Sequence, residues 1–150
     1  MEKDILYLED WKVTKERIKH FDDIIIKIRI QGIPIAGALL SVGALLTPIL
    51  KTYEFPLFGN AAPLIFIVVS IYVTALIGID WIHYKLLLES VNHAIFIENI
   101  SQFKGILQIT TILTKNWITR LHLIVALFLY LPILGLSIVI SYLLSGQPVS

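Results

Sequence analysis

The segment Ile30-Gln-Gly-Ile-Pro-Ile-Ala-Gly-Ala-Leu-Leu-Ser-Val-Gly-Ala-Leu-Leu-Thr-Pro-Ile-Leu50 decides the fold of this chain. It contains no charged residue, and a helix of about 20 apolar residues crosses the hydrocarbon core of a bilayer. Two further segments, Ala61 to Ile79 and Leu121 to Leu144, are similarly long and apolar. The sequence therefore predicts an all-α membrane protein with three transmembrane helices.

The composition of the whole chain supports a membrane protein. Of its 150 residues, 57% are hydrophobic and 15% are charged, and the mean hydropathy is +0.82. A soluble domain of this size cannot bury so much apolar surface. The net charge of +1 offers no basic patch for a nucleic acid, and the absence of cysteine excludes disulfides and thiol chemistry. The first 23 residues are charged throughout, so we expect no secretory signal.

The distribution of Lys and Arg predicts the orientation. Seven precede the first span, four lie between the second and third spans, and one, Lys51, lies between the first two. Because basic residues flanking spans stay in the cytoplasm, we predict that the N-terminus is inside and the C-terminus outside. The predicted layout is a cytoplasmic amphipathic helix (1–29), a first span (30–50), an external hairpin loop (51–60), a second span (61–79), a cytoplasmic helical segment (80–120), a third span (121–144) and an external tail (145–150).

The cytoplasmic segments have the periodicity of amphipathic helices. Apolar residues on one predicted helix face lead into the first span, namely Leu8, Trp11, Ile18 and Phe21. After the second span, Leu87, Val91, Ala94 and Ile95 form another apolar face, and Lys85, Glu89, Asn92 and Glu98 are expected away from it. We predict that the second span continues into the cytoplasm, breaks near Asn99 to Gly105, and returns through a short helix. These extensions would pack into a stalk, or alternatively lie on the membrane surface.

Small and hydroxyl residues mark the helix-packing or pore-lining faces of the spans. In lipid, helices associate through small residues that allow close approach. Such residues form two nearly opposite faces on the first span: Gly37, Ser41, Ala44 and Pro48, and Gly32, Ala36 and Gly43. The second span carries Ser70, Thr74 and Gly78, and the third carries Tyr130, Ser137 and Ser141. One intramolecular neighbour would cover one of these faces. We expect the other face to contact a further partner, such as a second copy of the chain.

The sequence offers little support for catalysis. Asp80 with His83, and Glu89 with His93, are possible metal ligands, but each pair supplies two ligands where a catalytic zinc needs three. We expect neither an enzyme nor a cofactor. Charged residues near the cytoplasmic ends of the spans form a predicted trigger or partner surface, which comprises Asp22, Asp23, Lys27, Arg29, His83, Lys85, Glu89 and His93. Within it, the charge-dense segment His20-Phe21-Asp22-Asp23, next to Lys27 and Arg29, would form salt bridges with the neighbouring stalk, or alternatively a gate or nucleotide contact.

The order of these elements resembles that of the SLATT superfamily, small multi-span effectors of bacterial conflict systems. The resemblance covers Leu8 to Gln102 and includes the run from Trp11 to Asp22, the hairpin, Asp80-Trp-Ile-His-Tyr84 and Leu86-Leu-Leu88. It implies a pore-forming or membrane-perturbing effector that acts beside a nucleotide-signalling sensor. This chain departs from the pattern by adding a third span and by lacking a fused sensor within its 150 residues.

The resulting hypothesis is a homo-oligomeric effector of the bacterial inner membrane that opens a pore or disrupts the bilayer in anti-phage defence. Its expected partners are membrane lipids, further copies of the chain, and a separate cytoplasmic sensor or signalling nucleotide. A non-conducting anchor for a cytoplasmic partner and a small ordinary channel are the alternatives.

Overall fold

The computed structural model describes residues 2–55, 57–100, 110 and 117–145. Three long helices dominate them: α1 (Glu2–Leu50), α2 (Ala62–Glu98) and α3 (Trp117–Ser145). Each contains a stretch long and apolar enough to cross a membrane. The prediction of a multi-pass membrane protein with three transmembrane helices is confirmed at this level.

Two of the helices continue well beyond their apolar segments. Helix α1 begins at Glu2 and passes through Pro34 and Pro48 without ending, and α2 extends to Glu98 before a turn at Asn99. The predicted continuation of the first two spans as helices is therefore confirmed, and α2 ends at Glu98, next to the start of the break predicted at Asn99 to Gly105. The predicted short helix from Ile106 toward Trp117 and the tail after Ser145 lie outside the described residues, apart from Thr110 and Trp117.

The link between α1 and α2 contains a small β-hairpin that the sequence did not predict. Strands β1 (Glu54–Phe55) and β2 (Gly59–Asn60) pair antiparallel, with Phe55 opposite Gly59. Gly59 has a φ of 73°, which lies in the left-handed region that glycine adopts without a steric penalty. The hairpin reverses the chain direction so that α2 starts within a few residues of it.

Asn60 connects the start of α2 to the end of α3. Its Oδ1 accepts a hydrogen bond from the backbone N–H of Ala62 at 3.0 Å, and its Nδ2 donates to the carbonyl of Leu144 at 3.2 Å. Both partners are groups that helix ends leave without an intrahelical partner. The fully buried Asn60 side chain therefore satisfies two helix termini together.

The described residues fall into two compact units. The span unit lies within Ile28–Gly78 and Ala126–Ser150, and the arm unit lies within Met1–Lys27 and Ile79–Val125. Helices α1 and α2 contribute residues to both units. Each unit has its own buried residues.

The core of the span unit follows a heptad-like spacing on α2. Its buried residues recur at intervals of four and three, and they are Ala62, Phe66, Val69, Val73 and Leu76. This spacing is typical of long helices that pack side by side. Val69, Val73 and Leu76 pack with Ala36 of α1 and Tyr130 of α3, whereas Ala62 and Phe66 pack with Leu144 of α3.

The arm unit buries the predicted side of α1, although its most deeply buried residues there are not the predicted ones. Leu8 is exposed, and Trp11, Ile18 and Phe21 are half-buried, whereas Thr14 and Ile25 are fully buried. On α2 the predicted apolar face of Leu87, Val91, Ala94 and Ile95 is buried or half-buried. The prediction that Glu98 lies away from this face is wrong, because its side chain is buried.

The Gly32, Ala36 and Gly43 face of α1, termed the Gly32 face, lies against α2. A Cβ atom added at Gly32 would lie 2.8 Å from both methyl carbons of Leu76, and one at Gly43 would lie 3.0 Å from Ile65. The Tyr72 hydroxyl also donates to the Gly32 carbonyl at 3.4 Å. Glycine is needed here because the two helices approach closely.

We expect Gly43→Leu to lower the unfolding free energy by about 1–3 kcal/mol, because overpacking displaces Ile65 and Phe66. Thermal unfolding of the detergent-solubilised protein measures this. The matched control is Gly135→Leu, since a Cβ there meets nothing within 4 Å. Equal losses of stability in the two variants would contradict the packing of the Gly32 face.

Candidate functional site

The second small-residue face of α1, termed the Gly37 face, is largely uncovered. Ser41, Ala44 and Pro48 are exposed, and Gly37 is half-buried, with open space where a Cβ would lie, since no atom is within 4 Å. The Ser41 hydroxyl donates to the Gly37 carbonyl at 2.9 Å, so its polar group is satisfied within the helix. The two faces predicted on the first span therefore have different environments, because α2 covers only the Gly32 face.

Helices α2 and α3 are joined by hydroxyl groups. The hydroxyls of Ser70 and Ser137 lie 2.8 Å apart, and Ser137 is fully buried. The Ser141 hydroxyl donates to the carbonyl of Pro63 at 3.5 Å, and Tyr130 is buried in the core. Serine side chains that bond across helices are common packing contacts in membranes. The three predicted residues of the third span thus take part in packing.

The remaining predicted residues of the second span lie on its outer side. Thr74 is exposed and its hydroxyl donates to the Ser70 carbonyl at 2.8 Å, and Gly78 is exposed with no close neighbour. Thr74 borders a groove of about 720 Å³ in the span unit. The groove is lined by Phe58, Ile67, Ser70, Ile71, Thr74, Ala75, Ile138, Ser141, Tyr142 and Ser145.

The arm unit contains a buried carboxylate, Glu98, at the end of α2. Its Oε1 accepts hydrogen bonds from Nε1 of Trp11 at 3.2 Å and from the backbone N–H of Thr110 at 3.0 Å. Nζ of Lys15 lies 3.8 Å from the same oxygen, and Lys15 also donates to the hydroxyl of Thr110. This Glu98 cluster (Trp11, Lys15, Glu98 and Thr110) connects α1, the end of α2 and a residue beyond it.

Burying this carboxylate is unfavourable in free energy unless it is paired. The Glu98 side chain has no exposed surface, whereas that of Lys15 is 26% exposed. An ionised carboxylate removed from water requires charge-assisted hydrogen bonds to offset the lost hydration. The N–H groups of Trp11 and Thr110 donate hydrogen bonds to it, and Lys15 lies within salt-bridge distance at 3.8 Å, so the Glu98 cluster couples three chain segments through one group.

The sequence analysis missed the Glu98 cluster, although the spacing on α2 contained a clue. Leu87, Val91 and Ala94 recur at intervals of four and three, and the next interval of four leads to Glu98. A charged residue in the register of a buried face requires a polar partner. That partner could not be inferred, because Trp11 is 87 residues away along the chain.

A second buried polar group lies on the same side of α1 as Trp11 and Lys15. Thr14 is 1% exposed, and its hydroxyl has no hydrogen-bond partner among the described groups. The sequence analysis expected apolar residues on this buried face of α1, and Thr14 is polar. The arm unit is therefore more polar inside than the span unit.

Most of the predicted trigger surface is exposed. Asp22, Asp23, Lys27, Lys85 and Glu89 are exposed, and Arg29 and His83 are half-buried. Nε2 of His93 lies 3.0 Å from Oδ2 of Asp10, which joins α1 to α2 at the surface of the arm unit. Lys85 lies with Nζ 5.6 Å from the ring centroid of Trp81.

The possible metal ligands do not converge. Nδ1 of His83 lies 2.9 Å from the carbonyl of Ile79, and His93 contacts Asp10. Among the described residues, no three His, Asp or Glu side chains are arranged to hold a metal ion. The contact of His93 with Asp10 joins α1 to α2, and the exposed residues of this surface can present charge to a partner.

Comparison of the chain with known protein families, with characterised proteins and with solved structures found no match.

We expect Glu98→Ala to loosen the arm unit. Without the carboxylate the N–H groups of Trp11 and Thr110 lose their acceptor, at a cost of about 1–3 kcal/mol for each one that stays buried. Hydrogen exchange at the Thr110 amide should accelerate, and Glu98→Gln, which keeps an acceptor oxygen, should accelerate it less.

The control for this prediction is Glu89→Ala, which removes an exposed glutamate from the same helix. Exchange at Thr110 should match the unmodified protein in this variant. Similar acceleration in Glu89→Ala and Glu98→Ala would show that the Glu98 cluster does not hold Thr110 in place.

Proposed function

We propose that the protein is a homo-oligomeric, multi-pass effector of the bacterial inner membrane that opens a pore or disrupts the bilayer when triggered. In a defence role it would halt the growth of an infected cell before a phage matures. The layout shared with SLATT effectors supports this role, and Lys/Arg asymmetry supports an inside N-terminus.

The observation that carries the proposal is the contrast between the two small-residue faces of α1. The Gly32 face is covered by α2, whereas Ser41 and Ala44 of the Gly37 face are exposed. Lipid tails gain little from small side chains, while a neighbouring helix gains close backbone contact. A second copy of the chain is therefore the partner that suits the Gly37 face, and repeated copies would surround a pore or distort the bilayer.

The arm unit would carry the trigger in this proposal. Its helices continue α1 and α2 beyond the predicted spans, so a stalk on the cytoplasmic side is the arrangement that the Lys/Arg count favours. The Glu98 cluster joins three segments of the arm unit and is the contact that a trigger would have to rearrange. A sensor protein or signalling nucleotide would act on the exposed charges of this unit.

A membrane anchor for a cytoplasmic partner is the second candidate, and the surface of the arm unit favours it. Asp22, Asp23 and Glu89 are exposed beside exposed apolar side chains such as Ile26 and Phe96. Mixed charged and apolar surfaces are typical of protein interfaces. The anchor would recruit its partner without conducting ions.

Under the effector proposal, induced expression should depolarise cells, and Gly37→Leu or Ser41→Leu should abolish depolarisation by blocking close helix contact. A membrane-potential dye in intact cells measures this, with membrane fractionation to verify insertion. The matched control is Gly135→Leu, a substitution on α3 where an added Cβ meets no atom within 4 Å.

The mass of the protein in mild detergent separates the two candidates. Light scattering corrected for bound detergent should give a single oligomer for the unmodified chain and a smaller species for Gly37→Leu. A monomer that never depolarises cells and retains a soluble partner would overturn the effector proposal in favour of the anchor.

A further inference from the structure

Helix α2 carries an exposed face of mixed chemistry where it enters the arm unit. Four apolar side chains and one lysine share this side of the helix, and they are Ile79, Trp81, Ile82, Lys85 and Leu86. Trp81 is 47% exposed and Ile82 is 58% exposed. On the other side of the same turns, Asp80 and Tyr84 are buried. The helix is therefore fixed to the arm unit through one side, and its apolar side faces outward.

The aromatic ring and the lysine of this face are held together. Nζ of Lys85 lies 5.6 Å from the centroid of the Trp81 ring, a geometry in which a cation is attracted to the ring face. The ring of Tyr84 lies 6.1 Å from that of Trp81 at an angle of 44°. Because Tyr84 is buried, this contact restricts where Trp81 can lie.

The charge of Lys85 is not neutralised by a neighbouring carboxylate. Glu89 lies one turn further along α2, but no ion pair joins it to Lys85 among the described side chains. Lys85 instead contacts the ring of Trp81. An ammonium group beside exposed apolar side chains thus faces outward without a counter-charge from the described protein.

We propose that this Trp81 face binds the phosphate headgroup of an anionic phospholipid at the membrane surface. Ile79 and Ile82 would contact the upper acyl region, the Trp81 ring would lie at the headgroup level, and Lys85 would pair with the phosphate. Indole rings favour this boundary, and a lysine extends its charge from apolar surroundings toward it. The positive charge selects anionic over zwitterionic lipids.

The test uses the full chain labelled with 5-fluorotryptophan and reconstituted in nanodiscs. The chain has three tryptophans, so the Trp81 resonance is identified by its loss in Trp81→Phe. Spin-labelled phosphatidylglycerol should broaden this resonance more than spin-labelled phosphatidylcholine at the same mole fraction. In Lys85→Gln the preference should fall about fivefold, the effect of one lysine at an anionic surface, and added salt should reduce the preference of the unmodified protein.

Lys19→Gln is the matched control, because Lys19 is an exposed lysine of the same unit; it should leave the Trp81 resonance unchanged. Equal broadening by the two lipids, or an unchanged preference in Lys85→Gln, would overturn the proposal. Absence of broadening by either lipid would also overturn it. The broadening of the Trp81 resonance does not depend on ion flux, so its outcome is independent of the effector proposal.

Discussion

The close approach of α1 and α2 at the Gly32 face is the contact on which the rest of the span unit depends. Hydrophobicity cannot drive two helices together in lipid, so their association relies on packing at short distance and on hydrogen bonds between them. Gly32 and Gly43 provide the short distance against Leu76 and Ile65. Because α2 covers this face, the opposite Gly37 face of α1 stays largely uncovered.

A bilayer also requires that polar groups find partners within the protein, because no water is present to receive them. The span unit meets this requirement with short side chains. Ser41 and Thr74 return their hydroxyls to their own helices, and Ser70 bonds to Ser137 between helices. Asn60 serves the ends of two helices together. Such contacts give the span unit a defined arrangement through neutral side chains.

The arm unit differs from the span unit, because it buries a carboxylate where the span unit uses neutral polar side chains. Its central contact is a buried carboxylate, and removing any partner of Glu98 leaves polar groups without compensation. A packed apolar contact weakens gradually as it is deformed. The donors of a buried carboxylate share one acceptor group, so they are displaced together or not at all. This difference suits the proposed division of roles, in which the span unit assembles in the membrane and the arm unit responds to a partner.

The sequence by itself determined three apolar stretches long enough to span a membrane and the continuation of the first two as helices, because apolar length and helical periodicity are local properties. It also placed two small-residue faces on the first span, since their angular positions follow from helix geometry. Only the tertiary structure decided which face α2 covers and that Glu98 is buried. These outcomes depend on residues distant along the chain, such as Trp11 for Glu98, and a local pattern fixes where a side chain lies on its helix but not what it meets.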